Sequence, residues 1–264
     1  MSERLRERFK RAKAEGRPLF IGYITGGFPE PGDTVELLLA MEAGGAGVIE
    51  VGIPFTDPLA DGATVQHANE VALSFGISLK DCFGYVAEAR AKGLTAPVIF
   101  MGYYNPILAY GEARTCRDGA AAGIDGFIVV DLPPDEASNF LAECRANGLS
   151  FVPLVAPTTE ESRVPLLAAA ADAFLYCVSV TGTTGKGNVN VDALPEFLAR
   201  VRRHTDLPLA VGFGITKPEH VVAIGKIAEG VAVGSSIVTT AERAAPGQRA
   251  EAVRAFIAEM TGQR

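Results

Sequence analysis

Short runs of apolar, largely β-branched residues alternate along the chain with longer amphipathic, Ala-rich segments, the rhythm of parallel strand–helix units. The pattern predicts strands over 18–25, 47–53, 97–101, 126–130, 150–155, 173–179, 208–212 and 230–233. Between them it predicts helices near 32–43, 79–92, 107–122, 134–147, 159–170, 191–204, 217–227 and 241–260. Eight strands and eight helices in 264 residues imply an α/β chain folded as a (β/α)8 TIM barrel, one domain spanning 1–264. A doubly wound open sheet is the architectural alternative. The polar segment 3–15, rich in Lys, Arg, Glu and Ala, predicts an extra N-terminal helix placed as a cap on the barrel's lower end. Pro134 followed by Asp135 and Glu136 suits a helix start, and Asn147-Gly148 suits a stop.

A barrel of this kind builds its site at the C-terminal ends of the strands, and the unusual residues of this chain collect there. The densest stretch is 47–62, GVIEVGIPFTDPLADG. Val48, Ile49, Val51 and Ile53 surround Glu50 with strand-forming residues, so Glu50 is expected to be buried, with a raised pKa that keeps it protonated and able to donate a proton. Asp57 and Asp61 follow in a Pro- and Gly-punctuated loop, where solvent and backbone N–H groups are expected to keep them ionised. Two environments then yield two roles. The competing interpretation is a structural Glu50 paired to a buried Arg or Lys.

Glycine-rich turns after strands six, seven and eight, containing Gly185, Gly214 and Gly234, suit a phosphate site built from backbone N–H groups and a helix N-terminus, with Ser235 as an additional donor. The alternative is that these glycines only turn the chain at the rim. Gly185-Lys186-Gly187 excludes a Walker A loop, and no GxGxxG fingerprint is present.

Composition narrows the partners. A formal net charge of −7 without a basic cluster argues against nucleic acid or an anionic membrane surface. Cys82, Cys116, Cys144 and Cys177 lie at least 28 residues apart, and His67, His204 and His220 are also scattered, so no metal site is expected. The polar N-terminus and the lack of an apolar run of about 18 residues predict a soluble, cytoplasmic protein.

The runs IEVGIPFTDPLADG (49–62), MGYYNP (101–106), DLPP (131–134), GFGI (212–215) and GSSIV (234–238) together resemble the tryptophan synthase α subunit family over nearly the whole chain. The resemblance implies a lyase that cleaves indole-3-glycerol phosphate to indole and glyceraldehyde 3-phosphate by a retro-aldol reaction. The indole then passes to a β subunit carrying pyridoxal phosphate, in an α2β2 heterotetramer, with no cofactor in this chain. Glu50 matches the family's general acid/base and Asp61 the second carboxylate, placed at the indole N–H. Tyr176 matches a tyrosine beside the catalytic Glu, and Gly185, Gly214, Gly234 and Ser235 match the phosphate turns. Phe213, Tyr23, Val65, Met101 and Ile128 are expected to line the indole pocket, with core packing as the competing role for most of them, and Thr184 matches a lid residue that meets Asp61. Asp57, Tyr104, Asn105 and Pro106 match the face that meets the β subunit. Thr56, Ala63 and the run Thr183-Thr184-Gly185-Lys186 depart from the commonest family pattern and leave both carboxylates in place. Another phosphosugar barrel enzyme, or a weak scaffold that activates a β partner, remains as an alternative; the first usually places a catalytic Lys or paired Asp at strand ends, and the predicted strands contain no Lys.

Overall fold

The computed structural model describes residues 1–179 and 191–263. Its strands are β1 (Leu19–Thr25), β2 (Val48–Gly52), β3 (Val98–Gly102), β4 (Gly126–Val129), β5 (Ser150–Phe151), β6 (Leu154–Val155), β7 (Leu175–Val178), β8 (Leu209–Gly212) and β9 (Gly230–Val233). They pair in the order β5-β4-β3-β2-β1-β9-β8-β7-β6, all parallel. β5 and β6 are two halves of the predicted fifth strand, so the two ends of this order meet and the sheet closes into a barrel. The interruption falls at Val152-Pro153, where proline has no N–H to give a ladder. The Val152 N–H still bonds to Phe127 O (2.9 Å) and Pro153 O accepts from Tyr176 N–H (3.1 Å), joining the strand to both neighbours.

The strands are buried on both faces, which is why they read as continuous apolar runs. Orientation alternates along each strand. A Cβ added to Gly22 would meet Met41 and Ile237 of the helix layer, so its neighbour Tyr23 points into the barrel. Tyr23 is in register with Glu50, which therefore points inward as well.

The predicted N-terminal helix is α1 (Glu3–Ala14), capped by the Ser2 side chain on the Leu5 N–H. It closes the floor of the barrel, where Leu5, Phe9 and Ala12 are buried and Phe9 meets Phe174 at 4.9 Å. Beneath the strands, Asp125 accepts from Ser2 Oγ (2.6 Å), Arg4 Nε (3.0 Å), Arg90 Nη2 (3.0 Å) and the Val98 N–H (2.9 Å).

The helical layer departs from expectation in four places. Pro134, Asp135 and Glu136 form a turn, and the helix expected to start there begins at Ser138. The segment 107–122 is two helices, α5 (Tyr104–Tyr110) and α6 (Glu112–Ala122), because Gly111 between them has φ +97°. The last segment is likewise two helices, α11 (Ser235–Arg243) and α12 (Arg249–Thr261), separated by a stretch holding Pro246 and Gly247. An unpredicted helix, α3 (Ala63–Ser74), follows the acidic loop; its buried face is Val65, Ala68, Asn69 and Ala72, too small and too mixed to stand out as an apolar stripe. The remaining helices are α2 (Thr34–Ala43), α4 (Leu79–Ala91), α7 (Ser138–Ala146), α8 (Val164–Ala170), α9 (Leu194–Arg202) and α10 (Pro218–Ile224).

Candidate active site

Glu50 is 1% exposed and its Oε1 has no hydrogen-bond partner among the described residues. No Arg or Lys among them pairs with it, and burial alone lifts its pKa to about 8. A carboxyl group in that state is protonated at neutral pH, and one of its oxygens is unpaired within the described residues. The hydroxyls of Tyr23 and Tyr176 share its electrostatic environment and that of Asp61, and burial holds both phenols well above the ordinary tyrosine range. Glycines make room for the two rings. A Cβ on Gly52 would come within 2.1 Å of the Tyr23 hydroxyl, and one on Gly212 within 2.1 Å of the Tyr176 hydroxyl. The Tyr23 hydroxyl also lies 3.0 Å from Thr25 Oγ1.

Asp61 differs from its expected environment. It is 8% exposed, and burial raises its pKa to about 6, opposed by a hydrogen bond from the Tyr103 hydroxyl to Oδ2 (3.1 Å). It is ionised at neutral pH, but by a smaller margin than a solvated loop carboxylate. Tyr103 also accepts the Ala60 N–H (3.0 Å) and stacks on Phe55 at 5.0 Å, tying the acidic loop to the end of β3. Asn69 of α3 completes the support, accepting the Phe55 N–H (3.0 Å) and donating to Val65 O (2.8 Å). The sequence placed Tyr103 at the end of strand three without assigning it a role, and it did not single out Asn69. Position alone pointed to Tyr103, since polar residues at the C-terminal end of a barrel strand are where sites are built.

The glycine turns lie together at this same end. Gly212 of β8 is in register with Ala232 of β9, so Phe213-Gly214 and Gly234-Ser235 are neighbours. Gly234 caps α11 and Ser235 is its first residue, which presents free N–H groups and a positive helix end. Gly214 has φ +72°, and Phe213, at φ +77°, is the one non-glycine residue with positive φ among those described. A left-handed backbone at a non-glycine residue costs of the order of 1–3 kcal/mol and persists only where its surroundings impose it. The Phe213 ring meets Tyr176 edge-on at 6.1 Å. Thr184 and Gly185 lie outside the described residues.

Asp57 is exposed and accepts from Thr56 Oγ1 (2.6 Å). Tyr104, Asn105 and Pro106 form the first turn of α5, where the Tyr104 N–H is bound by Asp131 (2.7 Å). With Leu59 (83% exposed) and Leu108 (56%), these residues make an open, partly apolar rim beside the site. No cluster of His, Cys, Asp and Glu suited to a metal ion occurs among the described residues, and no helix among them is long and apolar enough to cross a membrane.

A closed parallel barrel with two buried carboxylates and a set of glycine turns at the C-terminal ends of its strands places the chain among the (β/α)8 barrel enzymes. The family model described as tryptophan synthase alpha chain matches residues 9–263. The tryptophan synthase alpha chain of Roseiflexus castenholzii is 46% identical over 259 residues, covering 98% of this chain and 99% of that one. The tryptophan synthase of Saccharomyces cerevisiae is 47% identical over 97% of this chain, which spans only 36% of that longer protein. Among solved structures, a tryptophan synthase of Mycobacterium tuberculosis superposes with a TM-score of 0.90 at 34% identity, over 99% of this chain and 98% of that one. The alpha subunit from Legionella pneumophila superposes at 0.91 and 33% identity, over 99% and 98% of the two chains. The chain belongs to the tryptophan synthase alpha chain family. It is a lyase of tryptophan biosynthesis.

Proposed function

We propose that this chain, as a single barrel domain, catalyses the retro-aldol cleavage of indole-3-glycerol phosphate to indole and glyceraldehyde 3-phosphate. The observation that carries this reading is Glu50, a buried carboxyl group with one oxygen unpaired within the described residues and a pKa near 8. Protonated Glu50 gives its proton to C3 of the indole ring, and the resulting carboxylate takes the proton from the glycerol hydroxyl as the carbon–carbon bond breaks, so the group returns to its starting state. Positive charge develops on the ring nitrogen between these steps. Ionised Asp61 accepts the indole N–H and stabilises that charge in a site shielded from water. Phe213 and Tyr176 flank the ring, while the N–H groups of Gly214, Gly234 and Ser235 hold the phosphate, an anion the molecule's net charge of −7 would otherwise repel.

The chain requires no cofactor of its own for this chemistry. Its partner is the tryptophan synthase β subunit, which carries pyridoxal phosphate, in a cytoplasmic α2β2 heterotetramer. Asp57, Tyr104, Asn105 and Pro106 form the contact face, supported by the exposure of Leu59 and Leu108 beside them.

The test is indole release from indole-3-glycerol phosphate, with and without a β subunit from the same source. Release that rises with the partner supports both reaction and complex; a folded chain that releases no indole in either condition refutes the reaction. Glu50→Gln and Asp61→Asn are expected to fold normally and lose at least about 100-fold in turnover.

A further inference from the structure

One serine holds two consecutive carbonyls at the phosphate turn. Ser179, just beyond β7, places its Oγ 2.7 Å from the Gly212 oxygen and 2.6 Å from the Phe213 oxygen, and its N–H donates to Gly212 O as well (3.0 Å). In a regular strand successive carbonyls point to opposite sides, so a single hydroxyl cannot reach both. They converge here because Phe213 turns the chain through φ +77°. The contact is made in the left-handed conformation of Phe213 and stabilises it.

This conformation sets the direction of two amides. In a planar trans peptide the N–H lies opposite the preceding carbonyl. With both carbonyls turned to β7, the N–H groups of Phe213 and Gly214 face the β9 side, where Gly234 caps α11. Neither amide has an acceptor among the described residues. Consecutive amides turned to one side form a concavity for an anion. We infer that Ser179 is a positioning residue of the active site: its N–H holds the Gly212 carbonyl and its hydroxyl holds the Phe213 carbonyl, and together they aim the Phe213 and Gly214 amides at the substrate phosphate. The inference rests on the phosphate-bearing substrate proposed above and assigns Ser179 no contact with it.

The experiment compares Ser179→Ala and Ser179→Thr with the unaltered chain. Inorganic phosphate binding is followed by calorimetry, and indole release from indole-3-glycerol phosphate supplies KM and kcat. Losing one net hydrogen bond to the turn is expected to weaken phosphate affinity and raise KM by about fivefold. The kcat is expected to stay within about twofold, the melting temperature to hold, and Thr to restore affinity through its hydroxyl. Unchanged phosphate affinity in Ser179→Ala, or a Thr variant as weak as Ala, overturns the assignment. An unaltered chain that binds phosphate in a Ser179-dependent way but releases no indole refutes the proposed reaction and leaves Ser179's role standing. A chain that binds no phosphate refutes both.

Discussion

The Tyr103 hydroxyl donates to Asp61 Oδ2 across 3.1 Å while accepting the Ala60 N–H at 3.0 Å, so one phenol at the end of β3 fixes both the orientation and the charge of the loop carboxylate. Burial works against that charge and the hydrogen bond works for it. Removing the hydroxyl in Tyr103→Phe is expected to raise the Asp61 pKa above its value of about 6 and move the acid limb of kcat/KM upward by about one pH unit. An acid limb that stays in place would show that Asp61 does not depend on Tyr103 for its ionisation.

The two carboxylates also predict the whole pH profile. Asp61 must be ionised, which requires pH above about 6, and Glu50 must be protonated, which requires pH below about 8. Indole release should follow a bell with its maximum near neutrality. Glu50→Gln should leave no alkaline limb in whatever activity remains. A rate that keeps rising through pH 9 would contradict proton donation by Glu50.

Glu50 imposes a stability cost whose sign is set by linkage. Its folded pKa of about 8 lies above the ordinary value of 4.5, so between these limits the folded state holds a proton that the unfolded state has released. Stability therefore falls as pH rises through that window, by up to about 1.4 kcal/mol per pH unit from this group alone. Urea unfolding from pH 5 to 8 should show a flatter pH dependence in Glu50→Gln than in the unaltered chain. Identical slopes would mean that the Glu50 pKa is not raised in the fold.

At the opposite end of the barrel, Asp125 serves stability alone. Its side chain is 2% exposed and joins Arg4, Arg90, Ser2 and the Val98 N–H beneath the strands. Asp125→Ala leaves those donors without an acceptor and is expected to cost about 3–5 kcal/mol. Activity per folded molecule should be retained, because the site lies at the other rim. Denaturant unfolding and turnover at low temperature separate the two effects.

The alternation of apolar runs and amphipathic segments determined the barrel, because a strand buried on both faces and a helix buried on one impose different local periods. It also determined the candidate carboxylates, since a Glu inside a β-branched run and an Asp in a Gly/Pro loop are visible without knowing what surrounds them. The divided helices followed from Gly111, Pro246 and Gly247, signals present in the sequence but outweighed by the helical pattern on either side. Only the tertiary structure decided how the site is held. Tyr103 and Asp61 are 42 residues apart, and Ser179 and Phe213 are 34 apart; no local pattern links either pair. The charge of Asp61 was decided at that level too, because its pKa reflects desolvation by residues that only barrel closure brings around it. Periodicity is a property of neighbours in sequence, whereas burial, convergence of side chains and the aim of an amide are properties of neighbours in space.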